Sequence, residues 1–281
     1  MGLRRCFLVS NRRYSNSLPL SLSSLCVLCV SVVLSLLRIT PQMIPNLYIR
    51  PPNRHNNHNL YNRRCMKGTP LTDQIVEYMI ELFPAEDALL RELRSAAITA
   101  EIPAIQISPE QAAFMQVFLR AIGAKRVLEV GTLGGYSAIS MARALPADGM
   151  VTTIELDPFR AEFARGWAKR AGLSSKIEVR VGAGVDVLER DLAGSGPYDF
   201  AFIDADKPNY VRYLDLILPM MRRGGVIAGD NALAWGEIAN PNAQDPSVLG
   251  MQAFNRAMAA RPELQCSLIP IGDGMCVGVV L

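Results

Sequence analysis

No aspartate or glutamate occurs in the first 72 residues of this 281-residue chain, although ten lysines and arginines do. The formal charge of +3 therefore conceals a segregation. Residues 73–281 carry the other nineteen bases against all 26 acids, a net of −7. Phosphate backbones are gripped by concentrated positive charge, so an acidic domain of this kind argues against nucleic acid as a partner. Histidine is scarcer still: both copies, His55 and His58, lie in the basic N-terminal part. Their position excludes Ser-His-Asp and Cys-His catalysis from the main domain, together with every His-ligated metal site. A general base there is a carboxylate, Lys, Tyr or Cys. Cysteine offers no framework either. Of the six, Cys26 and Cys29 sit in an apolar run as packing residues, and only Cys266 and Cys276 belong to the domain. Neither a zinc cluster nor a disulfide scaffold is implied.

Residues 1–66 also lack alanine and read as a separate object. Within them residues 18–37 form an uncharged apolar stretch just long enough to span a bilayer. Arg12 and Arg13 precede it and Arg38 follows, so charge does not set an orientation. Three readings stay open. One is a membrane anchor or uncleaved signal. Another is a cleaved targeting peptide, which the Arg- and Ser-rich, acid-free composition fits although no Ala-x-Ala-like site is visible. The third is a reading frame opened too far upstream, with Met66 as the real start, which the abrupt change of composition favours. Any membrane contact is expected through residues 18–37 alone, with the domain itself cytoplasmic. The tract 51–64, with five asparagines, is expected to be disordered.

From Thr69 the pattern becomes globular. Thr72 is placed to cap a helix with Ile75, Met79, Ile80 and Phe83 at helical spacing. A second helical stretch carries Leu89, Leu90, Leu93 and Ala97. A third opens at Ser108, with Pro109 in the first turn and Gln111 completing a capping-box pattern. These helices precede the first strand and are expected to cover the domain. Apolar strand-like runs follow at Arg126–Val130, Val151–Glu155, Ile177–Val181, Phe200–Ile203 and Gly225–Ala228. Helical segments lie between them at Ala138–Ala144, Phe159–Ala171, Val185–Asp191 and Tyr210–Met221. Fully apolar strands separated by helices predict an α/β fold, a doubly wound and mostly parallel sheet covered on both faces. Two late runs, Cys266–Ile271 and Met275–Leu281, are joined by Gly272-Asp273-Gly274 and predict an antiparallel hairpin at the sheet edge.

The first strand runs into Glu129-Val130-Gly131-Thr132-Leu133-Gly134-Gly135-Tyr136-Ser137. A strand, a glycine turn and a helix let a ligand approach bare backbone at the carboxyl edge of the sheet. The spacing is not that of a dinucleotide fingerprint, and Glu129 just before the turn suits a cationic ligand better than a pyrophosphate. The second strand ends in Glu155, about twenty residues past the turn, where a carboxylate can accept ribose hydroxyls. Together they predict a nucleoside with positive charge and no phosphate, which describes S-adenosylmethionine. An ordinary strand-turn-helix with a solvated glutamate is the competing reading.

The fourth strand ends in Asp204-Ala205-Asp206-Lys207-Pro208-Asn209-Tyr210 and the fifth in Asp230-Asn231. If these strands are neighbours, their ends lie about 5 Å apart. Asp204, Asp230 and Asn231 then converge as hard oxygen ligands suited to Mg²⁺ or Ca²⁺, with coordination sites left for substrate and water. Lys207, three residues past Asp204, can face the same pocket. Either motif alone reads equally well as helix capping with a surface lysine. Their joint occurrence at consecutive strand ends favours a site.

With these pieces in place, residues 68–281 resemble the cation-dependent O-methyltransferases that include catechol and caffeoyl-CoA O-methyltransferases, most of all the small bacterial-type members. The resemblance rests on the run Asp204–Tyr210, the Asp230-Asn231 pair, Glu129-Val130-Gly131 with Gly135-Tyr136-Ser137, Gln106–Gln111, and Pro270-Ile271-Gly272-Asp273-Gly274. It implies a seven-stranded, Rossmann-like class I methyltransferase fold, usually homodimeric. It implies metal ligands at Asp204, Asp230 and Asn231, a catalytic role for Lys207, and cofactor contacts near Ile107, Glu129, Gly131, Ser137, Glu155, Gly184 and Asp206. The expected reaction is methyl transfer to one hydroxyl of a catechol-like small molecule, with Lys207 taking the proton. A metal-independent methyltransferase of the same fold and a non-catalytic nucleotide-binding protein are the alternatives.

Overall fold

In the computed structural model, residues 72–83 and 86–281 are described; the expectations for residues 18–37, 51–64 and the rest of 1–66 lie outside them. Local chemistry sets the first three helices. Helix α1 (Asp73–Leu82) starts where the Thr72 hydroxyl accepts from the Ile75 amide. Helix α2 (Ala88–Thr99) is capped by Asp87, whose carboxylate accepts from the Leu90 amide at 3.0 Å. Helix α3 (Pro109–Ala121) carries the full capping box: Ser108 Oγ accepts from the Gln111 amide, and Gln111 Oε1 accepts from the Ser108 amide. Such caps satisfy backbone donors that have no partner inside the helix. The expected cover is formed by α2, which buries Leu90, Leu93 and Ala97, and by α3; α1 buries none of its residues.

Strands and helices then alternate: β1 (Arg126–Val130), α4 (Tyr136–Ala144), β2 (Met150–Glu155), α5 (Pro158–Arg170) and β3 (Ile177–Val181). A short helix α6 (Gly184–Asp186) continues as a π-helical turn over Val187–Asp191 and leads to β4 (Tyr198–Ile203). A 3₁₀ turn at Lys207–Asn209 opens into α7 (Tyr210–Ile217), followed by β5 (Met221–Gly229). Helix α8 (Pro246–Ala260) and the hairpin of β6 (Leu264–Ile269) and β7 (Met275–Val280) complete the chain. Helix α8 is missing from the sequence reading. Its signals were present: Asp245 caps it, Pro246 occupies the first turn, and Val248, Met251, Phe254 and Met258 form its buried stripe.

The seven strands are ordered β3-β2-β1-β4-β5-β7-β6. The first five are mutually parallel, and β7 runs antiparallel to both β5 and β6. The hairpin therefore reaches the sheet through β7, with β6 as the edge. Side-chain alternation along the strands divides the apolar residues into two cores. Val127, Phe200, Phe202 and Val226 face Leu90, Met115, Ile139 and Trp167 of α2–α5. Leu128, Ala201, Ile203 and Ile227 face Tyr210, Leu214, Met251 and Phe254 of α7 and α8. Complete burial of one such large side chain stabilises by roughly 1.5–3 kcal/mol. After β3 the chain returns to the other side of β1, so strand order reverses between β1 and β4. That switch point opens a crevice at the carboxyl ends of the strands.

Candidate active site

A cavity of about 760 Å³ occupies this crevice. Its wall at the β1 end is the glycine turn. Gly131 has φ of +103°, and a Cβ there would lie 1.9 Å from the Asp204 carbonyl oxygen. The β1 and β4 ends thus meet backbone to backbone, which only glycine permits. Leu133 in the same turn also adopts positive φ, at +50°, a conformation that costs a branched side chain roughly 1–2 kcal/mol. Its amide donates to Glu155 Oε2 at 2.7 Å, while Glu155 Oε1 accepts from the Asp157 amide at 3.1 Å. A hydrogen bond to an ionised group contributes about 1.5–3 kcal/mol, enough to offset the strain. Glu155 therefore both lines the cavity and holds the turn.

Glu129 lies behind that turn and not on the cavity wall. It is fully buried, and Thr132, Thr153 and Glu129 form a chain in which Thr153 Oγ1 donates to Glu129 Oε2 at 2.6 Å and lies 2.6 Å from Thr132 Oγ1. Burial pushes its carboxyl up to about 8; the nearby Ser137 and Thr153 hydroxyls oppose the shift, and the charges of Asp204 and Glu155 add to it. Its Oε1 has no partner among the described residues.

On the β4 side of the cavity, Lys207 Nζ donates to Asp204 Oδ1 at 2.9 Å and to the Tyr210 hydroxyl at 2.8 Å. The lysine side chain is only 12% exposed. Tyr210 is completely buried, and its hydroxyl is held well above the usual phenol range by burial and by the charges of Asp204 and Asp230. Because β4 pairs with β5 in the register Ile203↔Gly229, Asp204 and Asp230 follow directly on neighbouring strands. Asp230 is buried, and its Oδ1 accepts from Gln111 Nε2 at 2.6 Å. Burial first, and the Asp204 charge second, push the Asp230 carboxyl up to about 6. Asn231 lies on the cavity wall in a left-handed conformation, with φ of +57°.

Of the residues singled out from sequence, Ile107, Gly131, Ser137, Glu155, Gly184, Asp204, Asp206, Lys207 and Asn231 all line this one cavity. Glu129 and Asp230 stand directly behind it. Asp206 is fixed by the Tyr213 hydroxyl and by Asn209 Nδ2. The sequence reading missed three supports: Gln111 as the partner of Asp230, Tyr210 as the partner of Lys207, and Asp273 as the partner of Asn231. It placed Gln111 in a capping box and Asp273 in a turn, where each does sit. Their second contacts join residues far apart in the chain, and no local pattern signals them.

The wall's composition tests which groups fit. Among the described residues its cations are Arg160 and Lys207, against the carboxylates Glu155, Asp204 and Asp206. Lys207 is already committed to Asp204. A pyrophosphate would find little to hold it, whereas a cationic nucleoside would meet net negative charge and exposed glycine backbone. The β4 and β5 side offers the Asp204 carboxylate and the Asn231 amide on the wall, with the Asp230 carboxylate directly behind them, oxygen donors of the kind hard divalent cations take. Among the described residues no group of three or more His, Cys, Asp or Glu is arranged to hold a metal. An ion here would rest on Asp204, Asp230 and Asn231, completed by oxygens from substrate or water.

Comparison with known proteins agrees with this arrangement. The O-methyltransferase family profile matches residues 81–279. A catechol O-methyltransferase of Niastella koreensis is 37% identical over 214 residues, covering 74% of this chain and 97% of the relative. A caffeoyl-CoA O-methyltransferase of Medicago sativa is 32% identical over 219 residues, with coverage of 73% and 88%. The crystal structure of an O-methyltransferase from Bacillus cereus in complex with SAH superposes with a TM-score of 0.70 at 35% identity, covering 74% of this chain and 97% of that one. Fold and cavity together define a class I methyltransferase. The chain belongs to the O-methyltransferase family and is an S-adenosylmethionine-dependent enzyme of the catechol and caffeoyl-CoA type.

Proposed function

We propose that the enzyme methylates one hydroxyl of a catechol-like small molecule, with a divalent cation, Mg²⁺ or Ca²⁺, held by Asp204, Asp230 and Asn231. The observation that carries this reading is the placement of Lys207 between Asp204 and Tyr210, in the same cavity as the Glu155 and Gly131 cradle. S-adenosylmethionine supplies an electrophilic sulfonium methyl group. A bound divalent cation supplies a Lewis acid that lowers the pKa of a hydroxyl and fixes two vicinal oxygens. Ile107, Gly131, Ser137, Glu155, Gly184 and Asp206 hold the nucleoside, with Glu155 in position for its ribose. Glu129 acts from behind, through Thr153 and Thr132, on the shape of the turn. Lys207 receives the hydroxyl proton at Nζ. The Tyr210 hydroxyl, which can donate as well as accept, holds Nζ in place on both sides of that transfer. Positioning and electrostatics supply most of the acceleration in such a transfer.

Residues 68–281 form the methyltransferase domain in this reading, and residues 1–66 are an appendage with no part in the chemistry. No helix among the described residues is long and apolar enough to cross a membrane. A homodimer accords with the apolar surface that Tyr78, Ile80, Leu82 and Phe83 expose in and beside α1. The deciding experiment incubates the protein with methyl-labelled S-adenosylmethionine and a panel of catechols, before and after exhaustive chelation. Labelled product that disappears on chelation and returns with Mg²⁺ is expected. Undiminished turnover after chelation would remove the cation from the mechanism. Cofactor binding with no catechol methylated would overturn the assigned substrate class.

A further inference from the structure

The hairpin turn between β6 and β7 does more than connect two strands. The Asp273 carboxylate accepts from the Trp235 amide, at 3.0 Å to each oxygen, and Oδ2 also accepts from Asn231 Nδ2 at 3.3 Å. The turn's backbone continues the contact: the Asp273 and Gly274 carbonyls accept from the Leu233 and Ala232 amides, each at 2.9 Å. Gly274 permits that approach, since a Cβ there would lie 2.6 Å from Leu233 Cγ. The loop so held is strained. Asn231, Ala234 and Trp235 all adopt positive φ, at +57°, +47° and +55°. Left-handed conformations in non-glycine residues persist only where the surroundings impose them. From the opposite side Asn255 Nδ2 donates to the Ala232 carbonyl at 2.8 Å. Asn231 and Trp235 both line the cavity at its Lys207 end.

We propose that Asp273 is a positioning residue for the acceptor end of the site. A carboxylate can only accept, so it selects the amino face of the Asn231 amide and leaves Oδ1 to turn elsewhere. The same carboxylate holds the Trp235 backbone in place, and with it the indole at the mouth of the cavity. This inference rests on the reading of Asn231 as a cation ligand. It adds that the ligand's orientation and the position of the tryptophan are set together, by one side chain in the turn of the neighbouring hairpin.

The test compares Asp273→Ala and the isosteric Asp273→Asn with the wild type in three binding measurements, none of which needs turnover. Mn²⁺ affinity is measured by calorimetry. Acrylamide quenching reports Trp235, because Trp235 is 59% exposed while the other tryptophan, Trp167, is buried. SAH affinity serves as the control. Asp273→Ala should weaken Mn²⁺ by about tenfold or more, the usual effect of removing a group that orients a ligand, and should raise Trp235 quenching. SAH affinity should stay within about twofold, since none of the residues proposed to hold the nucleoside is bonded to the Asp273 side chain. Asp273→Asn keeps the volume but presents its own amino group to one of the two donors, so it should shift Mn²⁺ in the same direction by less. Wild-type Mn²⁺ affinity and quenching in both variants would overturn the assignment to Asp273. Wild-type protein that takes up no Mn²⁺ would overturn the cation reading beneath it.

Discussion

Replacing Lys207 separates the proposed proton transfer from every other property of the site. Its ammonium makes two hydrogen bonds, to Asp204 and Tyr210, from a side chain that is only 12% exposed. Lys207→Ala leaves the Asp204 carboxylate without this partner, which costs about 1.5–3 kcal/mol of stability. Domains of this size carry roughly 5–15 kcal/mol, so the variant should still fold. Loss of a positioned general base should lower kcat by about 10²–10⁴, or roughly 2.7–5.4 kcal/mol of barrier. Lys207→Arg sharpens the test. A guanidinium preserves the charge facing Asp204 but cannot accept a proton near neutral pH. The arginine variant should therefore regain most of the stability and little of the rate. Initial rates on whichever catechol the wild type methylates best, with labelled cofactor, supply kcat; urea denaturation supplies stability; calorimetry with SAH checks that the cradle on β1 and β2 is intact. Residual activity of Lys207→Ala should rise with pH as the acceptor hydroxyl ionises unaided. Wild-type kcat in Lys207→Arg would refute the proton-transfer role and leave only an electrostatic one.

Three further outcomes are expected. Glu155→Ala should weaken SAH binding by about 1.5–3 kcal/mol while leaving Mn²⁺ affinity nearly unchanged; unaltered SAH binding in calorimetry would remove Glu155 from the ribose. Gln111→Ala breaks the capping box and strips Asp230 of a donor at 2.6 Å, so urea denaturation should show a loss of about 2–4 kcal/mol. A loss below about 0.5 kcal/mol, the level of an ordinary surface change, would mean that Asp230 finds another partner. In chelated, cofactor-free protein, Asp230 is raised from 3.8 to about 6 and Glu129 from 4.5 to about 8, so the folded state holds these protons more tightly than the unfolded state. Their stabilising contribution is present at low pH and is lost as pH rises through this window. Asp87 and Asp199, held below the usual carboxylate range, act the opposite way below their unfolded value of 3.8. Melting temperature should accordingly fall between pH 5 and pH 8.5, and Mn²⁺ should raise it more at the upper end; a flat profile without cation would contradict both assignments.

What sequence could and could not reveal follows from how far each interaction reaches. The strands of the sheet were legible because short runs rich in Val and Ile stand between helical periods, and β1 and β3 match their expected bounds residue for residue, although β3, Ile177-Glu178-Val179-Arg180-Val181, alternates and buries only one face. Strand ends were legible for the same reason, and with them Gly131, Glu155, Asp204 and Asp230. Helix α8 was overlooked although its cap and buried stripe are local signals, because it follows an irregular stretch whose Asn240-Pro241-Asn242 run reads as loop. Glu129 illustrates a different difficulty. A carboxylate at a strand end is read as a ligand contact; the sequence does not show that strand alternation and the Thr153 hydroxyl hold this one buried beneath the turn, where burial favours its neutral form. The supports were hidden most deeply. Gln111 and Asp230 are 119 residues apart, and Asn231 and Asp273 are 42 apart; nothing local distinguishes a capping glutamine or a turn aspartate from one that also orients a candidate ligand. Both supports nevertheless stand on elements that local chemistry had already fixed, the capped start of α3 and the Gly-Asp-Gly turn. The strain at Asn231, Ala234 and Trp235 is sustained by Asp273 in the turn and by Asn255 on α8, while Gln111, against which Gly272 of the same turn packs, holds the adjoining Asp230, so the geometry of the reacting end depends on residues whose first role is to start a helix and to turn a hairpin.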